Sequence, residues 1–125
     1  MDFMPDKEFH VIFVRVARKV NLKGCYTPKA IDEKLRHVEK AHDFALKSGY
    51  IKDEKTKRRF KRGKKNMRQL RKSGFAERVI ALANRHPDGI YGLTLQHGYA
   101  KAKEKLLARK RRLKRMIRVR RRRVR

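Results

Sequence analysis

The sequence predicts an all-α protein with a small helical globular core and long basic helical extensions. Apolar residues recur at spacings of three and four in several segments, which is the pattern of an amphipathic helix. The chain has 125 residues, of which 39% are hydrophobic and 41% charged, so it has room for one small core. Its formal net charge is +27, and nearly all of the excess lies in two segments.

The two basic segments are residues 52–72, with twelve basic and two acidic groups, and residues 101–125, with fifteen and one. A chain with this charge repels itself in water, and a polyanion is the usual counter-charge. Membrane surfaces are also anionic, so charge alone leaves nucleic acid and lipid open. The longest apolar runs, VIFV and VIALA, are too short to span a bilayer.

The first helix is predicted over residues 6–20. Its apolar stripe is Phe9, Ile12, Phe13, Val16, Ala17 and Val20. Acidic residues in its first turn and basic residues in its last suit the helix dipole. A strand through FHVIFVRV is the alternative. The acidic start also disfavours a secretory signal or a retained mitochondrial presequence.

The second helix is predicted to begin after Thr27, an N-cap residue followed by proline, and to end at Ser48-Gly49. Its apolar stripe is Ile31, Leu35, Val38, Ala41, Ala45 and Leu46. Asp53 caps a third, very basic helix that runs towards Ser73-Gly74. Gly63 weakens that helix by about 1 kcal/mol, and like charges one turn apart weaken it further. We therefore expect it to form fully only when phosphates neutralise it.

A fourth helix is predicted over residues 75–86, with Phe75, Val79, Leu82 and Ala83 facing inward. HPDG (His86–Gly89) then forms a turn, and a last helix begins near Thr94. Its stripe is Leu95, Tyr99, Ala102 and Leu106, continued by Leu113 and Ile117. The predicted core comes from parts of 28–50 and 75–107. The predicted units are residues 1–22, an amphipathic helix; 23–74, a helix plus a basic RNA-binding extension; 75–107, a small globular domain; and 108–125, an Arg-rich tail.

The two basic segments are candidate RNA-binding surfaces, because lysine and arginine bind phosphate oxygens. Phe60 either stacks on an unpaired base, for about 1–3 kcal/mol, or packs against the core. The candidates in the first segment are Lys57, Arg58, Arg59, Phe60, Lys61, Arg62, Lys64, Lys65, Arg68, Arg71 and Lys72. Those in the tail are Arg109, Lys110, Arg111, Arg112, Lys114, Arg115, Arg118, Arg120, Arg121, Arg122 and Arg123.

The tail allows other interpretations, which are a nuclear-localisation signal, contact with a protein surface, and amphipathic membrane binding. The apolar residues available to a membrane are Leu113, Met116, Ile117, Val119 and Val124. They include no bulky aromatic residue, which disfavours the membrane.

No arrangement of residues indicates catalysis. The five histidines show no ligand spacing, and Cys25, the single cysteine, has no partner for zinc or for an internal disulfide. The sequence has no phosphate-binding loop, nucleophile elbow or dinucleotide fingerprint. We therefore predict a protein that is not an enzyme and has no metal, no cofactor and no small-molecule substrate.

Three segments, in this order, carry a family resemblance. Lys23–Asp53 (KGCYTPKAIDEKLRHVEKAHDFALKSGYIKD) has a KGYYG-like turn, a helix and a lysine–small–glycine exit. Lys64–Leu70 (KKNMRQL) is a basic run ending in methionine, arginine, a polar residue and leucine. Phe75–Leu93 (FAERVIALANRHPDGIYGL) is a helix and turn with Phe75 where tryptophan is usual. Over about residues 20–107 the chain resembles the bacterial-type large-subunit ribosomal protein L-twenty family.

The resemblance implies an all-helical protein with a small globular C-terminal domain and a basic helical extension inserted into large-subunit rRNA. Such a protein lies beside other large-subunit proteins, acts in subunit assembly and has no enzymatic activity. Lys23, Gly24 and Tyr26 match the RNA-facing turn of the family. The residues that match the basic extension are Lys57, Arg58, Arg59, Lys61, Arg62, Lys64, Lys65 and Arg68.

The chain departs from the family in its acidic start, in extra residues around Glu54–Arg62 and Arg71–Gly74, and in its Arg-rich tail. This divergence resembles a mitochondrial or other organellar member more than a bacterial one. The alternatives are another basic RNA-binding or chaperone protein and a DNA-binding protein.

Overall fold

The computed structural model describes residues 6–123, and these residues form six α-helices. The helices are α1 (Asp6–Lys19), α2 (Pro28–Lys47), α3 (Glu54–Lys72), α4 (Phe75–Arg85), α5 (Ile90–His97) and α6 (Tyr99–Arg123). Because the described part of the chain contains no strand, the all-α prediction is confirmed and the strand alternative for the first segment is wrong. Within residues 6–123, no helix is both long and apolar enough to cross a bilayer.

Two helices begin at the cap residues that the sequence predicts. The Thr27 hydroxyl accepts a hydrogen bond from the Ala30 N–H at 3.2 Å and caps α2. The Asp53 carboxylate accepts from the Thr56 N–H at 3.2 Å and from the Thr56 hydroxyl at 2.9 Å, and caps α3. These two bonds from Thr56 also hold the pKa of Asp53 below its ordinary value. Side chains therefore satisfy amide groups that each helix start leaves without a partner.

The core contains α1, which the prediction left out. Phe9, Phe13 and Val16 of α1 are buried. The other buried residues of the same cluster include Val20, Leu22, Cys25, Ile31, Leu35, Met67, Phe75, Ala76, Val79, Ala83 and Leu95. A core drawn from 28–50 and 75–107 alone is thus too small, and α1 supplies two of the three buried phenylalanines in the cluster. Ala41, predicted in the stripe of α2, is exposed.

Aromatic contacts join α1 to α4 and α5. The Phe13 ring lies 4.4 Å from the Tyr91 ring and the Phe9 ring 5.5 Å from the Phe75 ring, between centroids. The Arg78 guanidinium lies 4.3 Å from the centre of the Phe9 ring, within the range of a cation–π contact. Because aromatic side chains bury large areas, these contacts anchor the N-terminal helix.

Helix α3 packs along α2 through one apolar and ion-paired face. Met67 is buried there, and the Phe60 ring meets the His42 ring edge-on at 5.1 Å between centroids. The Lys64 ammonium lies 2.6 Å from the Asp43 carboxylate. One carboxylate oxygen of Glu39 accepts a hydrogen bond from Arg68 at 3.1 Å, and the other oxygen accepts one from Arg71. Carboxylates of α2 therefore supply part of the counter-charge for this basic helix.

The last predicted helix is two helices, because Gly98 interrupts it. Gly98 has φ +90°, a conformation that only glycine adopts readily. Helix α5 starts at Ile90, directly after the HPDG turn, in which the Gly89 N–H donates to the His86 carbonyl at 3.0 Å. Among the described side chains of α6, Ala102 is the last that is buried, so Leu113 and Ile117 continue the predicted stripe without entering the core.

Replacing Glu39 with glutamine should destabilise the fold by about 1–2 kcal/mol, because two arginines lose a charged acceptor. Burial opposes ionisation of Glu39, but hydrogen bonds from Arg71 and Arg68 outweigh it and hold its pKa below the ordinary 4.5. The stabilisation is thus complete above pH 4.5 and is lost as pH falls through the lowered pKa. Denaturation experiments between about pH 3 and 7 should show that the free energies of unfolding of wild type and Glu39→Gln converge in acid.

The matched control is Glu33→Gln, which removes an exposed carboxylate of the same helix. This variant should keep the wild-type stability to within about 0.5 kcal/mol. Parallel pH curves for wild type and Glu39→Gln would show that the pairs do not stabilise the fold.

Replacing Gly63 with alanine should destabilise the protein, although alanine favours a helix by about 1 kcal/mol. A Cβ at this position would lie 3.0 Å from Nε2 and 3.2 Å from Cδ2 of His42. The imidazole cannot easily give way, because its Nδ1–H donates to the Val38 carbonyl at 2.7 Å and its ring contacts Phe60. In a His42→Ala background the same change should be stabilising, as thermal denaturation of the four proteins would show. Stabilisation by Gly63→Ala alone would contradict the close packing.

Candidate nucleic-acid interface

Helix α3 presents a continuous basic surface on the side opposite α2. We call this surface the α3 ridge, and its residues are Lys55, Arg58, Arg59, Lys61, Arg62, Lys65 and Lys72, all of them exposed. No acidic residue follows Glu54 in this helix. The ridge therefore offers cations at helical spacing with no carboxylate of the same helix between them.

The other predicted residues of α3 already have partners within the chain. Lys64 pairs with Asp43, and Arg68 and Arg71 pair with Glu39. Hydrogen bonds from Lys64 and Lys47 hold the pKa of Asp43 below its ordinary value. Lys57 lies 3.6 Å from Glu54, one turn away. The pairs that Lys64, Arg68 and Arg71 form with α2 fix the rotation of α3 about its axis, so the ridge faces solvent.

Phe60 lies half-buried against His42 and outside the core cluster, so only part of its ring is open to a base. The aromatic rings that solvent reaches are elsewhere. Tyr50 is 87% exposed, Phe44 74% and Tyr26 60%. Of these, only Tyr26 was a candidate. Phe44 has a signal in the sequence, because it lies off the apolar stripe of α2, whereas Tyr50 directly follows the glycine at the end of that helix.

The turn that contains Lys23 and Tyr26 is tied to α5. The Gly24 N–H donates to the Leu95 carbonyl at 2.7 Å, and Gly24 has φ +83°. The Lys23 N–H donates to the Asn21 side-chain oxygen at 3.1 Å. Both side chains, Lys23 and Tyr26, are exposed on this braced turn, so they are held in place and open to a ligand.

The basic part of α6 is exposed all round. Every residue from Leu107 to Arg121 is exposed, a length of about 22 Å at 1.5 Å per residue. The Arg109 guanidinium donates to the Asp88 carbonyl at 3.1 Å. The other predicted cations there are Lys110, Arg111, Arg112, Lys114, Arg115, Arg118, Arg120 and Arg121. The side chains of Arg122 and Arg123, and the whole of Val124, lie outside the part that the structure describes.

One face of this part of α6 is apolar. Leu113, Met116 and Ile117 are each about half exposed. They follow Ala102 and Leu106 at helical spacing and so continue the face by which α6 meets the core. These apolar side chains cannot bind phosphate, whereas the arginines and lysines around them can.

Among residues 6–123, no group of three or more His, Cys, Asp or Glu side chains is placed to hold a metal ion. Cys25 is buried, and burial raises the pKa of its thiol, which lowers its thiolate fraction near neutral pH. The described surfaces carry fixed cations, which attract anions.

Comparison with known proteins gives no match, since no protein-family model, no curated protein and no solved structure is significantly similar to the chain.

Proposed function

We propose that this chain is a structural, rRNA-binding protein of the large ribosomal subunit, acting in subunit assembly in a mitochondrial ribosome. The α3 ridge is the observation that carries the proposal. Its seven exposed cations lie on a helix that α2 holds in place. We choose the large ribosomal subunit because three segments resemble the large-subunit family. These segments are Lys23–Asp53, Lys64–Leu70 and Phe75–Leu93.

In this proposal the ridge binds phosphates of folded RNA by charge and shape. A-form RNA has a deep, narrow major groove that side chains read poorly, so backbone contacts dominate. Arginine suits them because its planar guanidinium binds two phosphate oxygens at once. The sequence led us to expect α3 to form fully only with phosphate, but α3 is a continuous helix that is ion-paired with α2. Little backbone order therefore has to be gained on binding, and this favours affinity.

In this proposal the basic part of α6, which belongs to the predicted Arg-rich tail, is the second RNA contact. Its arginines and lysines neutralise phosphates on most sides of the helix. The apolar face at Leu113, Met116 and Ile117 fits a neighbouring large-subunit protein instead. This helix therefore lies between RNA and protein, which suits a protein that joins elements of a subunit during assembly.

Particles washed at moderate salt should retain the protein in the large-subunit peak of a sedimentation gradient. If the protein contacts about six to ten phosphates, its affinity for RNA should fall about 10³–10⁵-fold between 50 and 200 mM salt. A wash series should therefore release it in a steep step at higher salt. Protein found only at the top of the gradient at low salt would refute the ribosomal assignment.

Replacing Lys61 and Lys65 with glutamine should weaken RNA binding and lower the slope of log K against log salt by about 1 for each lysine. The matched control is Lys29→Gln/Lys40→Gln, which removes two exposed lysines of α2 and so changes the net charge equally. Filter binding to a structured rRNA fragment at several salt concentrations measures both slopes. Equal slopes for the two variants would show that net charge alone binds the RNA and that the ridge is not the site.

The same assay distinguishes the proposed rRNA-binding function from the DNA-binding alternative. Duplex DNA, added as a competitor at fixed salt, should displace the protein from structured rRNA poorly, because the ridge is proposed to fit folded RNA. Displacement by duplex DNA at equal nucleotide concentration would favour a DNA-binding protein.

A further inference from the structure

A groove separates α1 from α3 beside the ridge. Its volume is about 560 Å³, within the range of small-ligand sites. Val16 and Met67 are buried at its base, and Ile12 and Leu70 are half-buried in its walls. The groove thus has an apolar floor.

The rim of the groove is polar and cationic. Arg15 and Lys19 lie along the α1 side, and Asn66 and Gln69 along the α3 side. All four side chains are exposed. Among the described residues that line the groove, none is acidic. A carboxamide both donates and accepts hydrogen bonds, so it can match the edge of a nucleobase, whereas the two cations match a phosphate.

We propose that this groove holds one unpaired nucleotide of the RNA strand that lies on the α3 ridge. The base enters between α1 and α3 and rests on Val16 and Met67. Its edge pairs with the carboxamides of Asn66 and Gln69, and its phosphate lies between Arg15 and Lys19. The proposal rests on the RNA-binding function proposed above and names where that binding reads an unpaired base.

The position of the groove favours a nucleotide within a strand over a free one. Arg59 and Arg62 precede Asn66 by seven and four residues in α3, so they lie along the same side of the helix. The ridge therefore continues into the groove, and a strand bound by Arg59 and Arg62 passes its entrance. An unpaired base is also the part of folded RNA that proteins read by stacking and by base edges.

The test uses the full-length chain and two RNA hairpins, one with a single bulged adenosine in its stem and the other without the bulge. Adenosine is chosen because carboxamides pair with the adenine edge through two hydrogen bonds. Wild type should bind the bulged hairpin about tenfold more tightly, the effect of one good base contact. The Asn66→Leu/Gln69→Met variant keeps size and charge, so it should bind both hairpins equally with an unchanged salt slope.

The matched control is Asn84→Leu, which removes an exposed carboxamide of α4 and should keep the preference for the bulge. Circular dichroism of each variant checks the helical fold. A preference that survives in Asn66→Leu/Gln69→Met, or is absent in wild type, overturns the nucleotide site while leaving the ridge proposal standing. If wild type binds neither hairpin, the RNA-binding function itself fails. Displacement of the bulged hairpin by adenosine monophosphate alone would overturn the strand assignment.

A photoreactive base at the bulge gives a second readout that does not depend on the variants. The crosslinked peptides should contain residues 12–19 or 66–73. Crosslinks confined to α6 or α2 would place the unpaired base outside the groove and overturn the proposal.

Discussion

Ion pairing between two adjacent helices is the constraint on which the rest of the structure depends. Helix α3 has eleven basic residues among nineteen and few apolar ones, so it cannot be attached by hydrophobic burial alone. Glu39 and Asp43 lie one turn apart on α2 and meet Lys64, Arg68 and Arg71 of α3. Met67 and Phe60 add apolar contacts on the same face of α3. The pairs use the cations on one side of α3, and the cations on the other side are exposed to solvent.

The sequence predicts the helices well where a local signal exists. Thr27 and Asp53 locate the starts of α2 and α3 because their side chains cap the amides of the next turn. The apolar period locates α1, α2 and α4, but it says only that each helix has an inner face. What that face meets is a long-range property, so the place of α1 in the core was missed. The break at Gly98 was missed for a different reason, since a glycine within an apolar period does not reveal the sign of its φ.

The candidate site shows the same division between local and long-range information. Composition alone locates the basic segments, but the partners of Lys64 and Arg68 lie 21 and 29 residues away in the chain. No local pattern separates these cations from Arg62 or Lys65, which lie on the ridge. The orientation of Phe60 likewise depends on how α3 is rotated against α2. A usable signal does exist in α2, where Glu39 and Asp43 flank the apolar stripe instead of facing away from it.

The two basic helices, α3 and α6, differ in how far the rest of the protein packs against them. This difference determines what each can contribute to the proposed RNA contact. Helix α3 is fixed along its length by α2, so its ridge presents cations in a set arrangement and can favour one shape of RNA over another. Helix α6 has its backbone hydrogen bonds within itself, but after Ala102 none of its described side chains is buried. In the proposed contact, its many cations would therefore strengthen binding by counterion release with little dependence on shape. In this proposal, selectivity belongs to α3 and to the groove beside α1, where apolar and carboxamide groups lie next to the charge. A ligand that only neutralised charge would leave that groove unused, whereas folded RNA with an unpaired base would engage both helices.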